Sequence, residues 1–174
     1  MYLISIYFDK QTNKTLQWYI DKITEETGNH FMIENHVPPH MTIAAIEARN
    51  VNVLKPAFET LNGKLYSGNM KVVSVGQLFP YVMYATPVLN QELFELSEEV
   101  YGTFCNIPET KMSEYYRPFS WLPHITLGKT LDKVQMQKAF QAMQESFVPF
   151  TAQFDEIGMA KVNPHEDVGR FKLV

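Results

Sequence analysis

The sequence predicts an α+β fold built from two similar halves, and three observations lead to this prediction. A short motif, Pro-His-apolar-Thr-aliphatic, occurs at His40–Thr42 and again at His124–Thr126, separated by close to half of the 174 residues. Each copy lies on the third of five predicted elements, in the order strand, helix, motif strand, helix, strand. The chain has no low-complexity tract and no clear linker. Because an internal repeat at this scale indicates two equivalent structural units, we predict a single domain over residues 1–174, with two closely packed lobes at about 1–80 and 81–174.

The elements of the first half follow from apolar spacing and from residues that begin or end helices. Isoleucine and aromatic residues are dense in the first strand. An apolar stripe at helical spacing follows it, and asparagine caps and glycine stops bound the helices. The predicted order is a strand at 3–8, a helix between Asn13 and Gly28, the motif strand at 40–46, a helix between Asn52 and Gly63, and a strand at 70–79.

The same pattern restarts in the second half. Asn90 is a predicted helix cap, and Asp132 with Gln135 forms a predicted capping box. A long connection, residues 106–123, leads into the second motif strand. The predicted order is a strand at 82–86, a helix from Asn90 to Phe104, the motif strand at 124–129, a helix after Asp132, a strand at 150–162, a turn at 163–167 and a strand at 169–174.

Each motif places one histidine and one threonine on the same face of a strand. Successive side chains of a strand alternate between its faces, so His40 and Thr42 point one way and the apolar residue between them points the other. The same holds for His124 and Thr126. Residues two apart lie about 6.5–7 Å apart along a strand, and at that separation an imidazole and a hydroxyl can contact one phosphate group. We therefore predict a shared site that takes one histidine and one threonine from each half.

Two histidines and two hydroxyls in one cleft suit acid–base chemistry at phosphorus. Imidazole titrates near neutrality, so one neutral ring can accept a proton from water while the other, protonated, donates one to a leaving oxygen. Threonine hydroxyls can stabilise the charge that develops on the non-bridging oxygens. A strained 2′,3′-cyclic phosphate is a natural substrate for this set, because ring strain lowers the barrier and no metal is then required.

The paired motifs resemble those of the 2H phosphoesterase superfamily, whose members include 2′-5′ RNA ligases and RNA 2′,3′-cyclic phosphodiesterases. Four residues carry the resemblance, His40, Thr42, His124 and Thr126, and the order of elements extends it over the whole chain. It implies two pseudo-symmetric α+β lobes, with antiparallel sheets lining a central cleft and helices on the outside. It also implies that RNA termini or small cyclic nucleotides are opened without a metal or other cofactor, with joining of RNA ends as the reverse reaction. Which histidine is the acid and which the base stays open at this point.

Further substrate contacts are predicted at the edges of the cleft. Phe8, Tyr84 and Trp121 are aromatic residues placed to stack on a base, and Arg117 in the long connection is the predicted phosphate partner. Packing in the core or rim is the competing interpretation for the aromatic residues, and a solvated charge is the competing interpretation for the arginine. No carboxylate or thiolate accompanies the histidines at zinc-ligand spacing, so no metal site is predicted.

Two other classes of function are compatible with the same motifs. The first is a non-catalytic RNA- or nucleotide-binding protein that keeps the cleft without the chemistry. The second is a metal-dependent phosphodiesterase that uses the same histidines as ligands. Turnover distinguishes an enzyme from the first class, and the effect of a chelator distinguishes a metal-independent enzyme from the second.

The composition is that of an ordinary globular protein. Hydrophobic residues make up 45% of the chain and charged residues 20%. The net charge of −4 argues against broad binding to long nucleic acid, which depends on many phosphate contacts. A single cysteine, Cys105, agrees with a reducing, cytoplasmic location. No apolar run approaches the roughly 20 residues that a membrane span needs, so no membrane association is predicted.

Overall fold

The structure, a computed structural model, describes residues 1–162 and 165–174. These residues form an α+β fold with eight antiparallel strands and five α-helices, in agreement with the predicted fold class. The predicted turn at 163–167 lies partly outside the described residues. The strands are β1 (Tyr2–Phe8), β2 (His40–Glu47), β3 (Gly68–Leu78), β4 (Val82–Pro87), β5 (Lys111–Met112), β6 (Ile125–Gly128), β7 (Phe150–Lys161) and β8 (Glu166–Lys172). The helices are α1 (Lys10–Thr27), α2 (Phe31–Glu34), α3 (Lys55–Thr60), α4 (Gln91–Phe104) and α5 (Lys133–Ser146).

Helix α1 begins earlier than predicted because Asp9, and not Asn13, caps it. The Asp9 carboxylate accepts a hydrogen bond from the backbone N–H of Thr12 at 2.9 Å, whereas the Asn13 amide donates to the carbonyl of Phe8 at 2.6 Å. The predicted stop at Gly28 is confirmed. Its φ of 70° lies in the left-handed region, which glycine adopts without the steric cost of a Cβ.

Two of the three remaining helix starts agree with the sequence. Asn90 accepts from the third residue of α4, and Asp132 with Gln135 forms the predicted capping box of α5. The predicted cap at Asn52 is wrong. Asn50 instead caps a single 3₁₀ turn at Val51–Val53, and α3 starts only after that turn.

The two sequence halves exchange strands within the sheet. The strand order is β1-β2-β6-β4-β3-β7-β8, and β7 also pairs with β1. β3 belongs to the first half of the sequence but pairs with β4 of the second half. β7 and β8 belong to the second half but extend the sheet beside β1. The boundary near residue 80 therefore divides the sequence repeat without dividing the sheet.

The helices cover the outer side of the sheet and enclose the core. α1 packs against α5 and contacts β6, while α4 contacts β2 and β3. Phe104 of α4 and Phe154 of β7 are the bulkiest of the fully buried side chains. The cavities beside His40 and His124 lie on the other side of the sheet, which we call the cleft side. Within the described part of the chain, no helix combines the length and apolar character needed to cross a bilayer.

The long connection at residues 106–123 is anchored to the sheet of the first lobe. Its two-residue strand β5 pairs with the end of β2, and the N–H of Ser113 donates to the carbonyl of Ala45 at 2.9 Å. A 3₁₀ turn at Glu114–Tyr116 follows. The connection thereby carries two tyrosines, Tyr115 and Tyr116, to the side of the second motif.

Candidate active site

The two motif strands are neighbours in the sheet. β2 and β6 pair antiparallel at Met41 and Ile125, the central residues of the two motifs. Both central side chains are fully buried in the core, so the histidine and threonine that flank each of them point to the opposite, cleft-lining face. Neighbouring strands lie about 4.7–4.9 Å apart. The structure therefore brings together the four motif residues of His40–Thr42 and His124–Thr126.

Each motif histidine is held by the same local hydrogen bond. Nδ1 of His40 lies 2.8 Å from the carbonyl oxygen of Pro38, and Nδ1 of His124 lies 2.9 Å from that of Leu122. A carbonyl oxygen can only accept a hydrogen bond, so Nδ1 carries hydrogen in both rings. Nε2 is then the nitrogen that can exchange a proton with a bound molecule. The repeat in the sequence is thus matched by a repeat in side-chain geometry.

Burial lowers the pKa of both histidines below the ordinary value of 6.5. For His40, loss of hydration is the main cause; the hydrogen bond to Pro38 opposes it, and the positive charges of His165, His124 and Arg170 lower the pKa further. For His124, burial is again the main cause, and its own carbonyl hydrogen bond opposes it. The electrostatic effect of His124 on His40 agrees with their placement on adjacent strands. Near neutral pH both rings are mainly uncharged.

The two motif threonines lie in different surroundings. Thr42 is buried, with 6% of its surface exposed, and its Oγ1 lies 3.3 Å from Oγ of Ser5 on β1. Thr126 is half-buried and pairs with Tyr84 of β4. Thr126 therefore has the more accessible hydroxyl, and Ser5 places a further hydroxyl beside Thr42 in the first motif. Apart from its place on the cleft face of β1, Ser5 carries no signal that could have selected it from the sequence.

A tyrosine from the neighbouring strand packs against each motif histidine. The ring centroids of Tyr84 and His124 lie 5.6 Å apart in an edge-to-face arrangement, and those of Tyr7 and His40 lie 6.2 Å apart. Tyr84 is thus placed as predicted, beside the second motif. Phe8 is not: it lies in the hydrophobic core, because it follows Tyr7 on the strand and so points to the other face. Tyr7, which was missed from the sequence, occupies the position expected for Phe8.

Glycines on the next strands leave room for both tyrosines. A Cβ added at Gly76 of β3 would lie 2.6 Å from Cζ and Oη of Tyr84, and one added at Gly158 of β7 would lie 2.8 Å from Cε2 of Tyr7. Contacts this short do not occur between real side chains, so the missing Cβ is what lets each ring lie flat on the sheet. Arg170 stacks on Tyr7, with its guanidinium carbon 3.7 Å from the ring centroid.

The substitution Gly76→Ala is expected to displace the Tyr84 ring and to raise the pKa of His124 toward 6.5. The ring end of Tyr84 can move, so the fold should survive at a cost of about 1–3 kcal/mol. Moving the ring admits water to His124 and relieves the burial that lowers its pKa. NMR titration of the histidine ring signals measures this change. Gly102→Ala is the matched control, since a Cβ there meets no atom within 4 Å. An unchanged His124 pKa in Gly76→Ala would contradict the role of the Tyr84 ring in burying His124.

Two other predicted contacts do not reach the motif residues. Trp121 packs in the hydrophobic core with 8% of its surface exposed. Arg117 is exposed and forms an ion pair with Glu114 at 3.3 Å, within its own turn. Neither residue is among those that line the cavities at the histidines. The competing interpretations, core packing for Trp121 and a surface charge for Arg117, describe their placement.

A cavity opens beside each motif histidine. The His40 cavity, about 330 Å³, is bordered by β1, α2 and the ends of β6 and β7, and its polar lining includes His40, Ser5, Lys129 and His165. The His124 cavity, about 390 Å³, is lined by Leu78, Tyr115, Tyr116, Ser120, Leu122 and His124. A larger cavity, about 1150 Å³, lies elsewhere, between the β3–β4 turn and α5. We assign the site to the two smaller cavities because the paired histidines border them.

The described residues contain no group of three or more histidine, cysteine or carboxylate side chains arranged to hold a metal ion. The two motif histidines direct Nδ1 to backbone carbonyls, which leaves one nitrogen each for other partners. Metal independence remains a prediction.

Solved structures share this architecture at low sequence identity. A crystal structure of a phosphoesterase superposes with a TM-score of 0.66 at 15% identity, and Escherichia coli LigT complexed with 3′-AMP superposes with 0.65 at 14%. TT0787 of Thermus thermophilus superposes with 0.63 at 13%. Each match covers 99% of this chain and 97% of the other. The chain has the 2H phosphoesterase fold.

The likeness to LigT concerns the fold alone at this level of identity. It confirms the predicted resemblance as a matter of architecture: an α+β fold with an antiparallel sheet and five helices. No family model matches the chain, and no curated protein matches its sequence significantly. These comparisons therefore show the fold of the chain and not its activity.

Proposed function

We propose that the protein is a metal-independent phosphodiesterase that opens 2′,3′-cyclic phosphate ends of RNA or nucleotides, and that it also joins RNA ends reversibly through 2′-5′ linkages. One observation carries the proposal. Two histidines on adjacent strands each bind a backbone carbonyl through Nδ1, which leaves two equivalent Nε2 atoms for one cleft. A protein that only binds nucleotides has no need for two titratable rings in the same tautomer.

The reaction divides between the two rings. The neutral histidine accepts a proton at Nε2 from water as the water oxygen forms a bond to phosphorus. The protonated histidine donates its Nε2 proton to the ribose oxygen as the bond between that oxygen and phosphorus breaks. The product is a 2′- or 3′-monophosphate, and the ring that lost a proton can regain it from the other through solvent. In joining, the 5′-hydroxyl of a second RNA takes the place of the attacking water. It gives its proton to the neutral histidine as its oxygen bonds to phosphorus, and the bond between phosphorus and O3′ breaks as O3′ takes the proton of the other histidine, which leaves a 2′-5′ linkage.

Hydroxyls and neighbouring rings assist these transfers. Thr126 and Thr42 lie beside the histidines, where each hydroxyl can donate a hydrogen bond to a non-bridging phosphate oxygen. The hydroxyl of Thr42 also contacts that of Ser5. Tyr7 and Tyr84 exclude water from one side of each imidazole. The neighbouring fold supports a nucleotide as the ligand, since LigT has been crystallised with 3′-AMP, ATP and NADP⁺.

A substrate panel tests the proposal. The purified protein would be incubated, with EDTA present, with an oligoribonucleotide ending in 2′,3′-cyclic phosphate, a 3′,5′-cyclic nucleotide, a 2′-5′-linked dinucleotide and a 3′-5′-linked dinucleotide. We expect conversion of the 2′,3′-cyclic end to a monophosphate and no cleavage of the 3′-5′ linkage. Tight nucleotide binding without any turnover would favour the binding protein. Turnover that EDTA stops and added divalent metal restores would favour the metal-dependent enzyme.

The value of kcat/KM is expected to peak in acidic solution, below pH 6.5. It rises with pH as the base histidine loses its proton and falls as the acid histidine loses its own. Because the pKa of each ring lies below 6.5 in the folded protein, both limbs of the bell shift downward. A pH series with a cyclic-phosphate substrate measures this profile. A flat profile, or a maximum above pH 7, would contradict the division of roles.

A further inference from the structure

We propose that the cleft binds its substrate in one orientation, with the terminal base in the His124 cavity and a second phosphate, on O5′ of the same nucleotide, at Lys129 in the His40 cavity. This inference rests on the proposed function and specifies its substrate as a nucleotide that carries a further phosphate, as the end of an RNA chain does. The two cavities differ in chemistry, and that difference sets the orientation.

The His124 cavity is apolar and aromatic. Two tyrosines and two leucines line it, and among its polar groups are the hydroxyls of Ser120 and the tyrosines and the imidazole itself. Tyr115 is 82% exposed, so one ring at the rim of this cavity lies open to solvent. Tyr116 is half-buried behind it. An open tyrosine beside an apolar recess is suited to stack on a base, since any base presents a π-face.

The His40 cavity has a mixed lining, in which Lys129 and two histidines lie among apolar side chains such as Leu3 and Val162. Lys129 directly follows β6, at the end of that strand that lies beyond the start of β2. The strand that follows His124 therefore places a lysine in the His40 cavity. Lys129 Nζ lies 5.5 Å from the centroid of the Phe31 ring on α2, which holds it at the cavity wall. His165 lies on the same wall.

The charge of Lys129 is not neutralised within the described residues, because no carboxylate there lies within 4.0 Å of its Nζ. Arg170 differs: it pairs with Asp167 at 2.8 Å and lies over Tyr7. Lys129 is therefore the cation of this cavity that can bind an anion without first losing a partner. A phosphate is the anion that a nucleotide supplies at a fixed distance from its reacting group.

Equilibrium binding of product nucleotides tests this without turnover. Isothermal titration calorimetry would compare adenosine 3′-monophosphate, adenosine 3′,5′-bisphosphate and the dinucleotide ApAp. We expect about 10-fold tighter binding of the two ligands with a second phosphate, a preference that declines with salt. In Lys129→Gln the preference should vanish, while the exposed α5 substitution Lys138→Gln should keep it. A preference for the bisphosphate alone would mean that Lys129 binds a terminal phosphate. A preference for ApAp alone would mean that it binds the phosphodiester of an RNA chain.

The base-binding half has its own test. In Tyr115→Ala, binding of all three ligands is expected to weaken by about 5- to 100-fold, while binding of ribose 5-phosphate, which has no base, is unchanged. Tyr66→Ala is the matched control, because Tyr66 is 71% exposed and lies at a different groove. Equal binding of all three ligands by the native protein, or a preference that survives Lys129→Gln, would overturn the phosphate assignment. Unchanged affinity in Tyr115→Ala would overturn the base assignment. Because no step requires turnover, failure of the catalytic proposal would be recognised separately.

Discussion

Replacing either His40 or His124 by alanine is expected to lower kcat/KM for ring opening by about 10²- to 10⁴-fold, the usual contribution of a positioned acid or base. Each ring lies on the cleft face and hydrogen-bonds to the backbone of its own loop, so the fold should persist. The measurement is kcat/KM for an oligoribonucleotide ending in 2′,3′-cyclic phosphate, with circular dichroism and a thermal melt as evidence of folding.

The double variant gives a sharper version of the same test. Because the two histidines act on one transition state, losing both should cost little more than losing one. His30→Ala is the matched control, since His30 is exposed and does not line either cavity beside the motif histidines. Full activity in either single variant would remove that histidine from the mechanism.

Phe154→Ala is expected to have the largest effect on stability, a loss of about 3–5 kcal/mol in the free energy of unfolding. Phe154 is fully buried and lies where β7 changes partner, pairing with Phe8 on one side and Gly68 on the other. Its ring lies flat on Gly68, where an added Cβ would approach Cζ to 2.6 Å. Removing the ring therefore leaves a cavity at the junction of the exchanged strands.

Urea denaturation measures this loss. Phe119→Ala is the matched control, because Phe119 is 87% exposed and loses only its ring contact with Phe94, 4.6 Å between centroids, which should cost no more than about 0.5–1.5 kcal/mol. A loss below about 1 kcal/mol in Phe154→Ala would mean that the strand junction relaxes around the smaller side chain. The same substitution should also lower activity, since β7 carries Gly158 behind Tyr7.

The placement of the four motif residues was predictable because they repeat in the sequence and alternate along their strands. The duplicated motif placed two histidines and two threonines on strand faces before any pairing was known, and the sheet brings the two strands side by side. The phase of β1 was misjudged by one residue. Ile4 and Ile6 join the core, so the cleft face is carried by Ser5 and Tyr7, and attention to that alternation would have selected Tyr7 over Phe8.

The pairing of strands that lie far apart in the sequence could not be predicted from it. The order of elements contains no indication that β7 would lie beside both β1 and β3. β5 has two residues and exists because β2 offers it a partner, so no local pattern reveals it. The start of α1 was misplaced for a simpler reason. Asp9 and Asn13 are both good caps, and the turn after β1 selects Asp9.

The most direct test of the central claim is the rate at which the native protein opens a 2′,3′-cyclic phosphate on a short RNA in EDTA, measured beside the His40→Ala/His124→Ala double variant. We expect a monophosphate product from the native protein and a rate lower by about 10²-fold or more in the double variant. Equal rates for the two proteins, or no ring opening by the native protein, would contradict the assignment of this cleft to acid–base opening of cyclic phosphates.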